Sequence, residues 1–367
     1  MMKVKSITML GLGILLVSCV MSNQKFDEST DISSALRNPH MQSINIDSLN
    51  NETLINMTSV FKRVKTIILE TNKNALISGV NSIQVYGDKI FILDKFKSKG
   101  IYVFNKTGKF IQRIGQVGQG PGEYVDPFDF TIDKKNKFIY VLDSRTQKIL
   151  KYNFQTGKYI DDIKFADRRI MSFHIQWVGD KLYVDAFNSI KGVESYLIQE
   201  LDFSTGERGK KWLKNVDYNK NSSDIAFLGH DVFYDKTQDS PKFIQSFMDT
   251  VVSVDKSGVI PYIAMKSKDL LKQKELDEMG GDISKKISDL MRMSKIYNIN
   301  TYVTYKNSVY FECSMKNFML CFLYNKDSKS TRFAHGLIDD LVYEKNNQHI
   351  GLYPQFYTSS NDGMYSV

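Results

Sequence analysis

The hydrophobic pattern is clearest over residues 127–165. PFDFTID (127–133) alternates apolar and polar positions, the period of a strand with one covered face. After the turn residues 134–136 comes FIYVLD, a continuous run of β-formers that suits a strand covered on both faces. DSRTQ interrupts the run, ILKYNF resumes it, and Gln155-Thr156-Gly157 supplies a turn with a glycine free to take positive φ. GKYIDDIKF closes the unit as a fourth, more polar strand. Four such strands in succession predict one blade of a β-propeller.

The unit repeats. Its last turn recurs at Gly108, Gly157, Gly206 and Gly258, a period of about 50 residues. Its second strand recurs as DKIFILD, KFIYVLD, DKLYVDA and NSVYFEC. The pattern therefore predicts an all-β, six-bladed β-propeller occupying residues 59–367. The blades fall at 80–114, 126–165, 171–213, 227–265 and 299–334, and a last, incomplete one begins at 349. The lone strand expected at 60–71 would close the ring, because an open ring leaves two bare sheet edges. Between blades four and five the period changes to helical. A short helical insertion is expected over 266–298, with Ile283, Ile287, Leu290 and Met291 on one stripe and Asp282 as N-cap.

The first 18 residues have two lysines, an apolar run too short to span a bilayer, and a small residue before Cys19. This predicts a signal peptide ending in a lipobox, with the Cys19 thiol as the nucleophile that accepts a diacylglyceryl group. Residues 19–58, rich in Ser, Asn and Asp, are expected to be a tether. The formal charge of +8 falls to about +6 once Lys3 and Lys5 leave with the signal. The lysines are scattered through turns rather than blocked, which argues against a nucleic-acid partner.

The run IGQVGQGPGEYVDP, followed by the strands ending LDSRTQKILKYN, resembles the six-bladed β-propeller lipoproteins of Bacteroides-type bacteria, related in pattern to NHL-repeat propellers. The resemblance covers 80–165 best. It implies a six-bladed ring, export and attachment to the outer membrane, and it implies no reaction.

Candidate chemistry is sparse. The glycine-rich run 115–122 lacks the Lys-Ser/Thr of a phosphate loop and leads into a strand, so its expected role is a tight crossing between blades. Such a crossing places Gln119, Glu123 and Tyr124 near the channel mouth as candidate ligand contacts, with Arg145 from the next loop. Asp94 and Asp143 end equivalent strands and are expected to accept backbone N–H bonds there. Arg145 and Lys148 alternatively offer charge to an anionic ligand across the same face. The five histidines are scattered, so no metal ligands, cofactor or catalytic residues are assigned. Cys313 and Cys321 flank a hairpin and are left either paired or as two buried thiols. The expected function is a membrane-anchored module binding a glycan, peptide or protein; the alternative is a metal-dependent lactonase- or lyase-like propeller enzyme.

Overall fold

The computed structural model describes residues 41–48, 51–63, 65–187, 196–214, 232–256, 258–316, 318–338, 340, 351–352, 356–360 and 363–366. Cys19 and the signal segment lie outside them. Among the described residues no helix is long and apolar enough to cross a membrane.

The chain forms a β-propeller with five blades, not the six expected. Each blade takes its strands in sequence order from the axis outward, named a to d here, and neighbouring strands are antiparallel. Blade 1 is Ser82–Tyr86, Lys89–Asp94, Gly100–Asn105 and Phe110–Ile114; blade 2 is Pro127–Asp133, Phe138–Asp143, Lys148–Asn153 and Tyr159–Lys164. Blade 3 is Ile175–Val178, Lys181–Asp185, Tyr196–Leu201 and Arg208–Lys214. In blade 4 the inner pair shrinks to Phe233–Tyr234 and Lys242–Phe243, while Thr250–Asp255 and Gly258–Lys266 are long. Blade 5 is Ile296–Tyr305, Ser308–Met315, Phe318–Asn325 and Thr331–Ala334.

Where a sixth blade was expected stands a two-stranded sheet, Phe356–Ser360 with Gly363–Ser366. It sits between blades 5 and 1. Ser359 Oγ donates to Thr304 O at 2.5 Å, Met364 packs against the blade 5 core, and Tyr365 packs against the core of blade 1.

This topology gives the ring two distinct faces. The a–b and c–d turns lie on one, the turn face. The b–c loops and the d-to-a connections lie on the other, the crossing face. The cores sit between blades, as in the cluster of Phe91, Phe130, Val141 and Tyr152 shared by blades 1 and 2.

The N-terminal segment departs from expectation. The described residues of 60–71 form no strand, and Ile68 is 83% exposed. The stretch expected to be a tether instead supplies three short strands. Gln42–Asn45 pairs in parallel with the outer strand of blade 4, and Asn51–Glu52 does so on blade 5. Ile55–Asn56 pairs in parallel with Leu337–Ile338, which also pairs with Gly351–Leu352. The physical reason is burial of Ile44, Ile46, Ile55 and Met57, four apolar residues hidden in a polar stretch too short to show a period. The segment then reaches blade 1, where Glu70 N donates to Gly108 O and the Glu70 carboxylate accepts from Phe110 N. Gly108 is required there: its φ is +85°, and a Cβ would come within 1.9 Å of Ile68 O. This belt thus runs outside the ring from blade 4 through blade 5 to blade 1.

Helices Gln273–Asp277 (α1) and Ile283–Arg292 (α2) stand on the crossing face between blades 4 and 5. Asp282 caps α2, its carboxylate accepting from Lys285 N at 2.8 Å. Leu290 and Ile287 face Leu276 and Leu271, whereas Ile283 and Met291 stay largely exposed. Cys313 and Cys321 are free and buried. Cys313 lies opposite Leu320 and Cys321 opposite Glu312, so this one-residue offset puts the thiols on opposite faces of the sheet.

Candidate functional site

The channel is defined by the a strands, whose polar side chains tie each blade to the next. Gln84 Nε2 donates to Phe130 O, Ile175 N to Asp129 Oδ2, and Gln176 Nε2 to Lys236 O. Thr304 donates through N and Oγ1 to Asp235. The low dielectric beside the axis makes each tie costly to break.

The turn-face end of the channel is bridged by side chains. The a–b connection of blade 4, residues 235–241, links the short antiparallel pair Phe233–Tyr234 and Lys242–Phe243 as a long polar loop that reaches over the mouth. Lys134 of blade 2 reaches it from across the ring, donating to Thr237 O at 3.0 Å and pairing with Asp239 at 2.6 Å. Gln238 meets Ser359 from a third direction. The Lys236 side chain runs inward, only 8% exposed, and places Nζ 2.6 Å from both carboxylate oxygens of Asp129. Asp129 also accepts from Phe130 N and Ile175 N. A buried charge pair with every oxygen bonded is stable only as a complete set.

The crossing-face end is different. Pro127 pairs with Asp143 and Asp129 with Leu142, so Phe128 is the extra residue of a β-bulge. A bulge re-aims its side chain. Phe128 meets Phe173 at 5.2 Å and His174 at 5.6 Å, both on the lead-in to blade 3, and takes the Lys95 ammonium of blade 1 over its ring at 4.6 Å. Phe187 joins Phe173 edge-on at 6.2 Å. The rings of Phe128, Phe173 and Phe187 are partly exposed. His174 is fixed by Asp185, with Nδ1 2.8 Å from Oδ2. The result is an aromatic rim with a cation, gathered from three blades.

Of the residues singled out from sequence, two are engaged internally. Tyr124 is fully buried, donates to Ile114 O at 2.8 Å, and has its pKa pushed up to about 12 by burial. The Glu123 carboxylate accepts from Gly120 N at 2.8 Å and Gln116 Nε2 at 2.6 Å, and these bonds hold its pKa below the usual carboxylate range. Both therefore shape the glycine-rich crossing. Gln119 and Arg145 are exposed on the crossing face. Asp94 and Asp143 do accept backbone N–H groups: Ser78, Gly79 and Lys97 for the first, and Val125, Asp126, Arg145 and Thr146 for the second.

Sequence reasoning missed Phe128, Phe173, Lys95 and Lys236. The doublet of Phe128 and Phe130 around Asp129, within an alternating strand, was the one available signal, since true alternation would put both rings on the same face. An axial metal would need Asp129 to give up Lys236, and among the described residues no three His, Cys, Asp or Glu side chains converge. The helical pair bears an open depression of about 570 Å³ near Met279, Lys285 and Arg292. Its Lys285–Asp289 pair, 2.6 Å apart on one helix, is an ordinary surface contact.

Two solved structures share the architecture. A Bacteroides fragilis protein assigned as exported superposes with a TM-score of 0.65 at 19% identity, over 80% of each chain. A DUF4221 family member from Bacteroides vulgatus superposes with a TM-score of 0.52 at 14% identity, over 83% of this chain and 91% of that one. At such identities the likeness concerns the fold alone. No curated protein sequence matches the chain. The model of the family described as a domain of unknown function, DUF4934, matches residues 41–367, and the chain belongs to that family.

Proposed function

We propose that the protein is an exported, lipid-anchored propeller acting as a ligand- or protein-binding module at the cell surface. Cys19 would carry the anchor, in the outer membrane, and the two-stranded sheet would serve as a reduced sixth blade. The exported assignment of the Bacteroides fragilis neighbour supports the first part. The observation that carries the binding reading is the asymmetry of the channel. Residues 235–241, Lys236 among them, bridge one end, and Phe128, Phe173 and Lys95 gather partly exposed rings and a cation at the other. An apolar rim with a few fixed polar groups is the usual form of a ligand site.

The ligand would be a glycan, peptide or protein docking on the crossing face, with Gln119 and Arg145 beyond the rim. Melting curves of the purified domain with glycan and peptide panels test this. A ligand at a hundred times its Kd adds about 2.7 kcal/mol of stability. The expected shift is present in the wild type, absent in Phe128→Ala and unaffected by EDTA, with no product formed. Turnover of a ligand, or a melting temperature lowered by EDTA, would replace this reading with the metal-dependent lactonase or lyase alternative.

A further inference from the structure

The crossing face of blades 1 and 2 has carboxylates and cations in similar number, but their states differ. Asp94 is bonded to Ser78 N, Gly79 N, Lys97 N and Ser98 Oγ. Asp143 is bonded to four backbone N–H groups, and Glu123 to Gly120 N and Gln116. Asp126 pairs with Lys99 at 2.8 Å and accepts from Ser144 Oγ. All four carboxylates are engaged from within. Lys97 and Arg145, by contrast, are exposed, and among the described residues their side chains form no ion pair or hydrogen bond.

Their loops are held firmly. Lys97 N and Arg145 N donate to Asp94 and Asp143 respectively, so the same clip fixes each b–c loop. Asp126 joins the two loops, since Lys99 belongs to the first and Ser144 to the second. Beside Lys97 stands Phe96, 67% exposed, a large ring that the core does not use. An exposed aromatic beside one unpaired cation, with a second on the adjoining clipped loop, is a recognition feature rather than a packing one.

We infer that this surface binds an acidic saccharide, with Phe96 stacked on a sugar ring and Lys97 and Arg145 taking its carboxylates. The inference rests on the binding-module reading and names its ligand. Arg145 has the fork that meets a carboxylate with two parallel bonds, and Lys97 supplies a point charge beside it. A single ring with one cation beside it and another on the next loop matches one or two sugar units. A nucleic-acid strand is tracked by successive aromatic platforms, and the second b–c loop carries Arg145 where the first carries Phe96.

The test is titration calorimetry with tetragalacturonate, maltotetraose and tetraglutamate. These carry carboxylates on sugar rings, sugar rings alone and carboxylates alone. Tetragalacturonate is expected to bind at least about tenfold more tightly than either, a gap of about 1.4 kcal/mol. Phe96→Ala and the double variant Lys97→Ala, Arg145→Ala should each weaken it about tenfold. Lys329→Ala, on the turn face, should not. Equal binding of tetraglutamate, or equal loss in Lys329→Ala, would reduce the effect to the basic charge of the chain and overturn the inference. A neutral ligand that depends on Phe128 but not on Phe96 would also overturn it while leaving the binding module standing. If none of the three binds, this inference falls, while the binding-module reading stands or falls with the glycan and peptide panels.

Discussion

Blades 1 to 3 and blades 4 to 5 solve one problem in two ways. Each blade must hold the chain as it arrives from its predecessor. In blades 1, 2 and 3 the last residue of strand b does this: Asp94, Asp143 and Asp185 take the N–H groups that lead into strand a. Among the described residues blades 4 and 5 show no such aspartate. Their support comes from outside, where Gln42–Asn45 and Asn51–Glu52 cover the outer strands. Asp47 bonds Ser267 and Lys268 N, and Glu52 grips Arg332 with two bonds of 2.8 Å. A clip is local and is repeated with the blade. A belt is one long-range device serving several blades at once, so its loss should be felt by all of them together.

Removing residues 1–58 should therefore give the largest effect. It strips away Ile44, Ile46, Ile55 and Met57, all buried. At about 1.5–3 kcal/mol each, their loss approaches the whole stability of an ordinary domain. Hydrogen exchange of the truncated chain should show the amides of blades 4 and 5 unprotected while those of blades 1 to 3 persist. Uniform protection, or a melting temperature unchanged by the truncation, would mean that the belt holds nothing.

The clip should matter less, and locally. Asp143 is fully buried and serves four N–H donors. Asp143→Ala leaves those donors without their acceptor and should cost about 3–5 kcal/mol in denaturant unfolding. Exchange should rise first at Val125, Asp126, Arg145 and Thr146. If blades 4 and 5 lost protection at the same time, the two halves would not be separately held.

What the sequence made legible follows the same division. The clips lie within the repeating unit, so the aspartates of blades 1 and 2 stood out. In the third copy the pattern DKLYVDA ends on Ala186, one residue past the working Asp185. The belt strands are two to four residues long, and their partners lie more than two hundred positions away. No local period can announce such a pairing. Phe128 was hidden for another reason: its direction depends on a register shift against a neighbouring strand. Lys236 sits in the most degenerate blade, within the polar run DKTQDSP, and nothing in that run points to its buried partner Asp129. Glu123 and Tyr124 were singled out for their place in the glycine-rich crossing, and that crossing is what engages them.

Acid should separate belt from blades by the smallest of the three effects. Asp47 is held below the usual carboxylate pKa by the Ser267 hydroxyl and then Lys268 N, Glu52 by the Arg332 guanidinium, and Glu70 by Phe110 N and then the Asn72 amide. A depressed pKa in the folded state means that the released belt binds more protons. Its contribution is full above the ordinary carboxylate value near about 4 and fades as pH falls through the folded values. Inside blades 4 and 5 the sign reverses. Burial raises the pKa of Asp235, Asp249 and Glu312, so protonation there favours the fold. The belt carboxylates are exposed or nearly so, and solvent screening keeps their effect modest. Between neutral pH and about pH 3, amide exchange corrected for its intrinsic pH dependence should quicken in Gln42–Asn45 before it quickens in Thr250–Asp255 or Ser308–Met315. Simultaneous loss in all three segments would show that belt and blades open as one unit.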